Sequence, residues 1–256
     1  MNQEDTNHKQ DATKLPAEEL RTVESMGLPD IRSTHFYDNK LERWHRDISP
    51  HVLWEHVPEE IIIQYDTCRN LYLYAFHVYR FYNVAHHQLY TVLELAIRML
   101  VGEKKLKKYL NKKKKQAKEE GRTVNRGLSI CMQYLVEHKL IINEDFPLWQ
   151  YKSERAQEYA YQEQVYRTMD ELGLKEYQWD ETELQKTKFD FNWNFVEVLC
   201  HSFPKLRNNY AHGSTTLYSA VLHDFENISI IINKIYERID LIHKEIQVTK
   251  NKEVKC

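Results

Sequence analysis

A chain of 256 residues is long enough to bury a full hydrophobic core, and its 6 Gly, 6 Pro and 29% charged residues are typical of a mostly helical protein. Its formal net charge of -2 excludes a global positive field that would attract nucleic acid, so any such binding must be local. The four cysteines are widely separated, and there is no amino-terminal signal pattern or long apolar run, which favours a cytoplasmic protein without a membrane partner.

The first part of the chain, residues 1–30, is polar, and we expect a mobile tail or a loosely docked arm there. A single helical domain is expected over residues 31–256, beginning with short helices before Pro58. Apolar periodicity then predicts main helices at about 59–77, 79–101, 128–141 and 190–203, followed by a long terminal helix.

Two segments interrupt this series of helices. Residues 103–120 are rich in lysine, which predicts an exposed helix extension or loop. Residues 148–188 are rich in aromatic residues, Gln and Glu, and predict an insertion with one helix that breaks near Gly173.

The terminal helix has the clearest pattern in the chain. From Val221 to Ile246 its apolar residues alternate spacings of four and three. This predicts a coiled-coil-like seam, which could be buried in an antiparallel bundle or between two subunits.

The segment from Arg207 to Gly213 precedes that helix. Ser202 and Pro204 predict the cap and first position of a short new helix, which Gly213 would end in a left-handed conformation. His212 would then leave the helix and turn back towards Arg207.

The spacing from Arg to His alone is not informative, because three other arginines in the chain have a histidine five to seven residues later. In a continuous helix, five residues correspond to about 140° of rotation, so the two side chains of such a pair diverge. The local context therefore distinguishes Arg207 from the other three, which are Arg46, Arg80 and Arg238.

The segment 206–213, together with the upstream helix around 93–98, resembles the HEPN domain family. The family signature is an Arg followed by a polar residue, with a His about four to six positions after the Arg. The order of helices agrees over roughly residues 59–246, apart from the lysine-rich segment and the insertion. The resemblance implies an all-α antiparallel bundle that forms a homodimer, with two motifs facing each other across a cleft. It also implies a metal-independent endoribonuclease, often a toxin of a toxin–antitoxin system or an antiviral defence effector, although some members only bind.

The residues themselves suit such chemistry. Cleavage of RNA by its own 2′-hydroxyl needs a base, an acid and positive charge on the developing phosphorane. Arg207 presents a planar charged fork to phosphate oxygens, His212 can serve as base or acid, and Asn208 can orient either the phosphate or the imidazole. In a dimer, two copies of His212 would supply both proton-transfer groups and leave a 2′,3′-cyclic phosphate.

Other interpretations of the motif stay open. Arg207 could simply pair with a carboxylate while His212 caps a helix end. The same cleft could also belong to a non-catalytic module that binds nucleotide, RNA or a partner protein. A third possibility is an interaction subunit whose terminal seam pairs with another helix.

Further residues are candidates for supporting roles. Glu94 and Arg98 are four residues apart and form either an ordinary ion pair or a pair beside the cleft, where Glu94 could hold Arg207 or His212. Asn209 is a further supporting candidate. The lysine run could be an RNA-backbone patch or a solvated loop, and its consecutive members are Lys112, Lys113, Lys114 and Lys115. No metal or cofactor site is predicted, and the expected partners are RNA, a second copy and an antitoxin or regulatory protein.

Overall fold

The computed structural model describes residues 19–36, 40–189, 191–212 and 221–253, with only the backbone given for 34–36 and 242–253. Within these ranges the prediction of an all-α fold is confirmed, because every regular element is a helix. The helices are α1 (Ile31–Phe36), α2 (Leu41–Ile48), α3 (Glu59–Tyr74), α4 (Phe81–Val101), α5 (Glu103–Glu119), α6 (Leu128–Glu137), α7 (Pro147–Leu172), α8 (Glu181–Lys186), α9 (Phe195–Ala211) and α10 (Leu222–Glu253).

Helix α4 lies at the centre of the fold. Apart from its contacts with α5, which follows it directly along the chain, it packs against α3, α6, α9 and α10. Its apolar residues lie on more than one side of the helix, and Leu89, Val92, Leu93 and Ala96 are each at most 1% exposed. A helix that contacts four others in this way fixes the position of any polar residue on its surface.

The seam of α10 is buried inside the subunit over its first half. Val221, Phe225, Ile228, Ile232 and Ile235 are all 0% exposed. The hydroxyl of Tyr65 on α3 also donates a hydrogen bond to the Phe225 carbonyl at 3.2 Å. The later seam positions Ile242 and Ile246 lie outside the described side chains.

Helix α9 is continuous from Phe195 to Ala211, so the prediction that one helix ends at Ser202 and another begins at Pro204 was wrong. Pro204 cannot donate a backbone hydrogen bond, which normally disfavours a helix interior. Here the helix nevertheless runs through Pro204, and both Phe203 and Pro204 are buried.

The two interrupting segments also have defined structures. The lysine-rich stretch forms α5, which turns Leu106, Tyr109 and Ala117 towards the core. The insertion contains two helices, so the prediction of one helix was wrong. Helix α7 ends at Leu172, where Gly173 follows as the cap with φ of +62°, and α8 comes after it. Asp180 caps α8 by accepting hydrogen bonds from the backbone of its first turn, and an Asp at this position is a local signal for a helix start.

Part of the expected amino-terminal tail docks on the bundle. Arg21 donates a hydrogen bond to the His77 carbonyl at 2.7 Å, and Asp30 is 3% exposed beside Arg32. Residues 1–18 lie outside the described part of the chain. None of the helices described is long and apolar enough to cross a membrane.

Candidate functional site

Arg207 lies near the carboxyl end of α9 and faces α4. Its Nη2 atom is 3.9 Å from Oε2 of Glu94. The same carboxylate accepts hydrogen bonds from Arg98, at 2.9 Å from Nε and 2.8 Å from Nη2. Glu94 is therefore shared between an arginine of its own helix and the arginine of the motif.

The environment of Glu94 explains why its position is well defined. Its side chain is only 14% exposed, and a Cβ on Gly127 would lie 3.5 Å from Glu94 Oε2. Gly127, with φ of +69°, directly precedes α6, whose amino-terminal backbone dipoles favour a nearby negative charge. Arg98 also donates to Glu103 at 2.9 Å, so the ionic chain runs from α9 through α4 to the start of α5.

Arg207 is held less tightly than Arg98. Its distance of 3.9 Å to Glu94 is too long for a hydrogen bond, and its contact from Nη1 to Asn208 Oδ1 is at the limit, 3.5 Å. Its Nε finds no acceptor among the described residues, and the side chain is 35% exposed. The guanidinium thus faces Glu94 without a short hydrogen bond to it, and its partly exposed side chain is of the kind that binds anionic ligands.

His212 occupies the end of the same helix. Its backbone N–H bonds to the Asn208 carbonyl at 3.0 Å, and its side chain is exposed. Because α9 is continuous, Arg207 and His212 are separated by about 140° around the helix axis. This geometry does not favour the expected turn of His212 back towards Arg207 within one subunit, and no contact between the two side chains occurs among the described residues.

Asn208 and Asn209 differ in their relation to these two residues. Asn208 lies four residues before His212, on nearly the same side of α9, and its side chain also reaches Arg207. Asn209 is exposed and lies about 200° around the helix from Arg207, so the geometry gives it no contact with the arginine. Gly213 lies outside the described residues.

His87 is a neighbour of Arg207 that was not among the predicted site residues. It shares one face of α4 with Thr91, Glu94 and Arg98, at positions i, i+4, i+7 and i+11. Burial, and then the positive charge of Arg207, lower the pKa of His87. The signal that could have found it is this polar stripe on an otherwise apolar helix.

The adjacent residue, His86, is fully buried and serves a different purpose. Its Nε2 bonds to the carboxylate of Asp224 in the first turn of α10, and Tyr90 donates to the same carboxylate at 2.9 Å. The ring of Tyr210 lies against His86 with centroids 4.6 Å apart. This cluster joins α4, α9 and α10 beside the motif.

The lysines of α5 form a wider surface than the run 112–115. Lys113 and Lys114 are half-buried, and Lys113 pairs with Glu137 on α6. The exposed face of the helix instead carries lysines about one turn apart, at Lys104, Lys108, Lys112 and Lys115. This basic face, defined by those four residues, begins next to Glu103 and hence next to the ionic chain.

Comparison with known proteins adds no assignment to this geometry. No known family profile matches the chain, and no curated protein or solved structure matches it either. Within the part of the chain that the structure describes, no group of three or more His, Cys, Asp or Glu is placed to hold a metal ion.

Proposed function

We propose that this chain is a metal-independent endoribonuclease of the HEPN type that acts as a dimer, in the manner of a toxin or phage-defence effector. One observation carries the proposal: the guanidinium of Arg207 lies 3.9 Å from Glu94, which is too far for a hydrogen bond, and its side chain is 35% exposed. A planar cation held in this way suits a phosphate group of RNA better than a point charge would.

Each residue of the motif has a separate role in this proposal. Arg207 binds the scissile phosphate and stabilises the charge that develops on it. Asn208 contacts Arg207 and lies beside His212, so it can orient both the phosphate and the imidazole. His212 transfers one proton. Since it diverges from Arg207 around α9, dimerisation is needed to bring a proton-transfer group to the bound phosphate.

That same divergence favours a second candidate, a non-catalytic module that binds nucleotide, RNA or a partner protein. In such a module Arg207 alone would hold the ligand, and His212 would only cap α9. The two candidates differ in whether the RNA chain is cut.

Incubation of the purified protein with single-stranded RNA in EDTA tests the proposal. We expect fragments with a 2′,3′-cyclic phosphate and a 5′-hydroxyl, and a loss of at least about 100-fold in rate for both Arg207→Ala and His212→Ala. His201→Ala changes an exposed histidine of the same helix and should leave the rate unchanged. Binding without cleavage would support the module, and cleavage that needs a divalent metal would contradict the proposed mechanism.

A further inference from the structure

We infer that His87 is the general base of this site, that it acts in the same subunit as Arg207, and that His212 of a second copy is the general acid. The inference rests on the proposed ribonuclease function. Because His212 diverges from Arg207, the subunit that binds the phosphate needs another proton-transfer group, and His87 would supply it.

The placement of His87 carries the argument. His87 and Glu94 lie seven residues apart on α4, so their side chains leave the helix within about 20° of each other. Glu94 contacts Arg207, which places the face of α4 that carries His87 towards α9. His86, the residue before His87, packs against Tyr210 of α9, so the adjoining side of α4 also faces α9.

The alternatives within the subunit are weaker. His86 is 0% exposed and already bonded to Asp224, so it cannot reach a substrate. His212 lies about 140° from Arg207 around α9. His87 is half-buried and therefore partly accessible, and it lies on the face of α4 whose Glu94 contacts Arg207.

The electrostatics favour the neutral, proton-accepting form of His87. Burial and then the charge of Arg207 lower its pKa, and Arg207 from α9 is the charged group that acts on it, while Glu94 lies two turns further along α4. When a phosphate neutralises Arg207, this opposition to the imidazolium decreases. Substrate binding would thus raise the affinity of His87 for a proton at the step in which it takes the proton of the 2′-hydroxyl.

The reaction then balances as follows. Neutral His87 takes the proton of the 2′-hydroxyl, and the 2′-oxygen forms a bond to phosphorus. The bond from phosphorus to the 5′-oxygen breaks with its electron pair on oxygen, and His212 of the second copy donates a proton there. The products are a 2′,3′-cyclic phosphate and a 5′-hydroxyl, and exchange with water restores both histidines.

Mixing two inactive variants tests this division between subunits. Alone, His87→Asn and His212→Ala should each lose at least about 100-fold in kcat with little change in RNA affinity. In mixed dimers one of the two sites keeps Arg207, His87 and the partner's His212, so random mixing should restore about one quarter of the wild-type rate. Mixing Arg207→Ala with His87→Asn should restore nothing, because both residues belong to the same subunit's site.

A titration followed by NMR checks the geometry independently of activity. The pKa of His87 should lie below its ordinary value of 6.5, and Arg207→Gln should raise it. The pKa of His51 is lowered mainly by burial, and the charged groups that act on it do not include Arg207, so it should not change and serves as the control.

The outcomes separate the two proposals. Full activity of His87→Asn, or a mixture with His212→Ala that stays inactive, overturns the inference while the ribonuclease proposal stands. Full activity of both Arg207→Ala and His212→Ala would overturn the ribonuclease proposal itself.

Discussion

Glu94 and Glu163 show how burial changes the value of the same kind of ion pair. Each pairs with an arginine four residues later on its own helix, Arg98 and Arg167 respectively. The side chain of Glu94 is 14% exposed, whereas that of Glu163 is 67% exposed. Water screens and competes for the exposed pair, so its contribution to stability is small.

Substitution of Glu94 should therefore be costly. We expect Glu94→Gln to lower the free energy of unfolding by about 1–3 kcal/mol, because it weakens two charge-assisted hydrogen bonds from Arg98 in a partly buried setting. Glu163→Gln should lower it by less than about 0.5 kcal/mol. Urea denaturation of both variants measures the difference, and equal effects would show that the pairing of Glu94 with Arg98 adds no stability.

The individual site residues were only partly predictable from the sequence. The spacing of Glu94 and Arg98 predicted their pairing, since this depends on one helix alone. The proximity of His87 to Arg207 depends on how α4 packs against α9, which no local pattern specifies. The predicted approach of His212 to Arg207 is disfavoured for the same reason that applies to Arg238 and His243, because the helix between the two residues is continuous.

Helices α10 and α9 differ in how far the local sequence predicts them. The seam of α10 repeats over many turns, so its helix and its buried face were both predictable. In α9 the pair Ser202 and Pro204 provided a local signal for a helix end, yet the helix continues through Pro204, which is buried. The sequence alone could not weigh this packing against the missing hydrogen bond.

The buried seam of α10 should contribute to the stability of a single subunit. We expect Ile232→Ala to lower the free energy of unfolding by about 2–5 kcal/mol, because it leaves a cavity at a fully buried position. Leu241→Ala, at a position that is 53% exposed, should change it by no more than about 0.5 kcal/mol. If Ile232→Ala instead separated dimers without lowering subunit stability, the seam would belong to an interface between subunits.

The charge of the whole molecule is nearly balanced, but its distribution is uneven. The formal net charge is -2, yet the exposed side of α5 carries the basic face at Lys104, Lys108, Lys112 and Lys115. One turn of an α-helix rises about 5.4 Å, so these charges can meet several phosphates along an RNA strand. An overall negative charge would otherwise oppose RNA binding.

Removal of the basic face should therefore change the salt dependence of RNA binding. With all four lysines of the basic face changed to Gln, the negative slope of the logarithm of the RNA binding constant against the logarithm of salt concentration should become shallower. The change should be about 0.7 for each phosphate that the protein no longer neutralises. The control changes four exposed lysines of the insertion to Gln, which alters the net charge equally: Lys152, Lys175, Lys186 and Lys188. Equal slopes for the two variants would mean that α5 does not bind RNA.

His86 fixes both ends of the connection between α9 and α10. Tyr210 packs against its ring two residues before the connection, and Asp224 bonds to its Nε2 shortly after it. One buried imidazole therefore holds the end of one helix and the start of the next against α4. Loss of this single side chain would loosen both helices together, beside the carboxylate that faces Arg207.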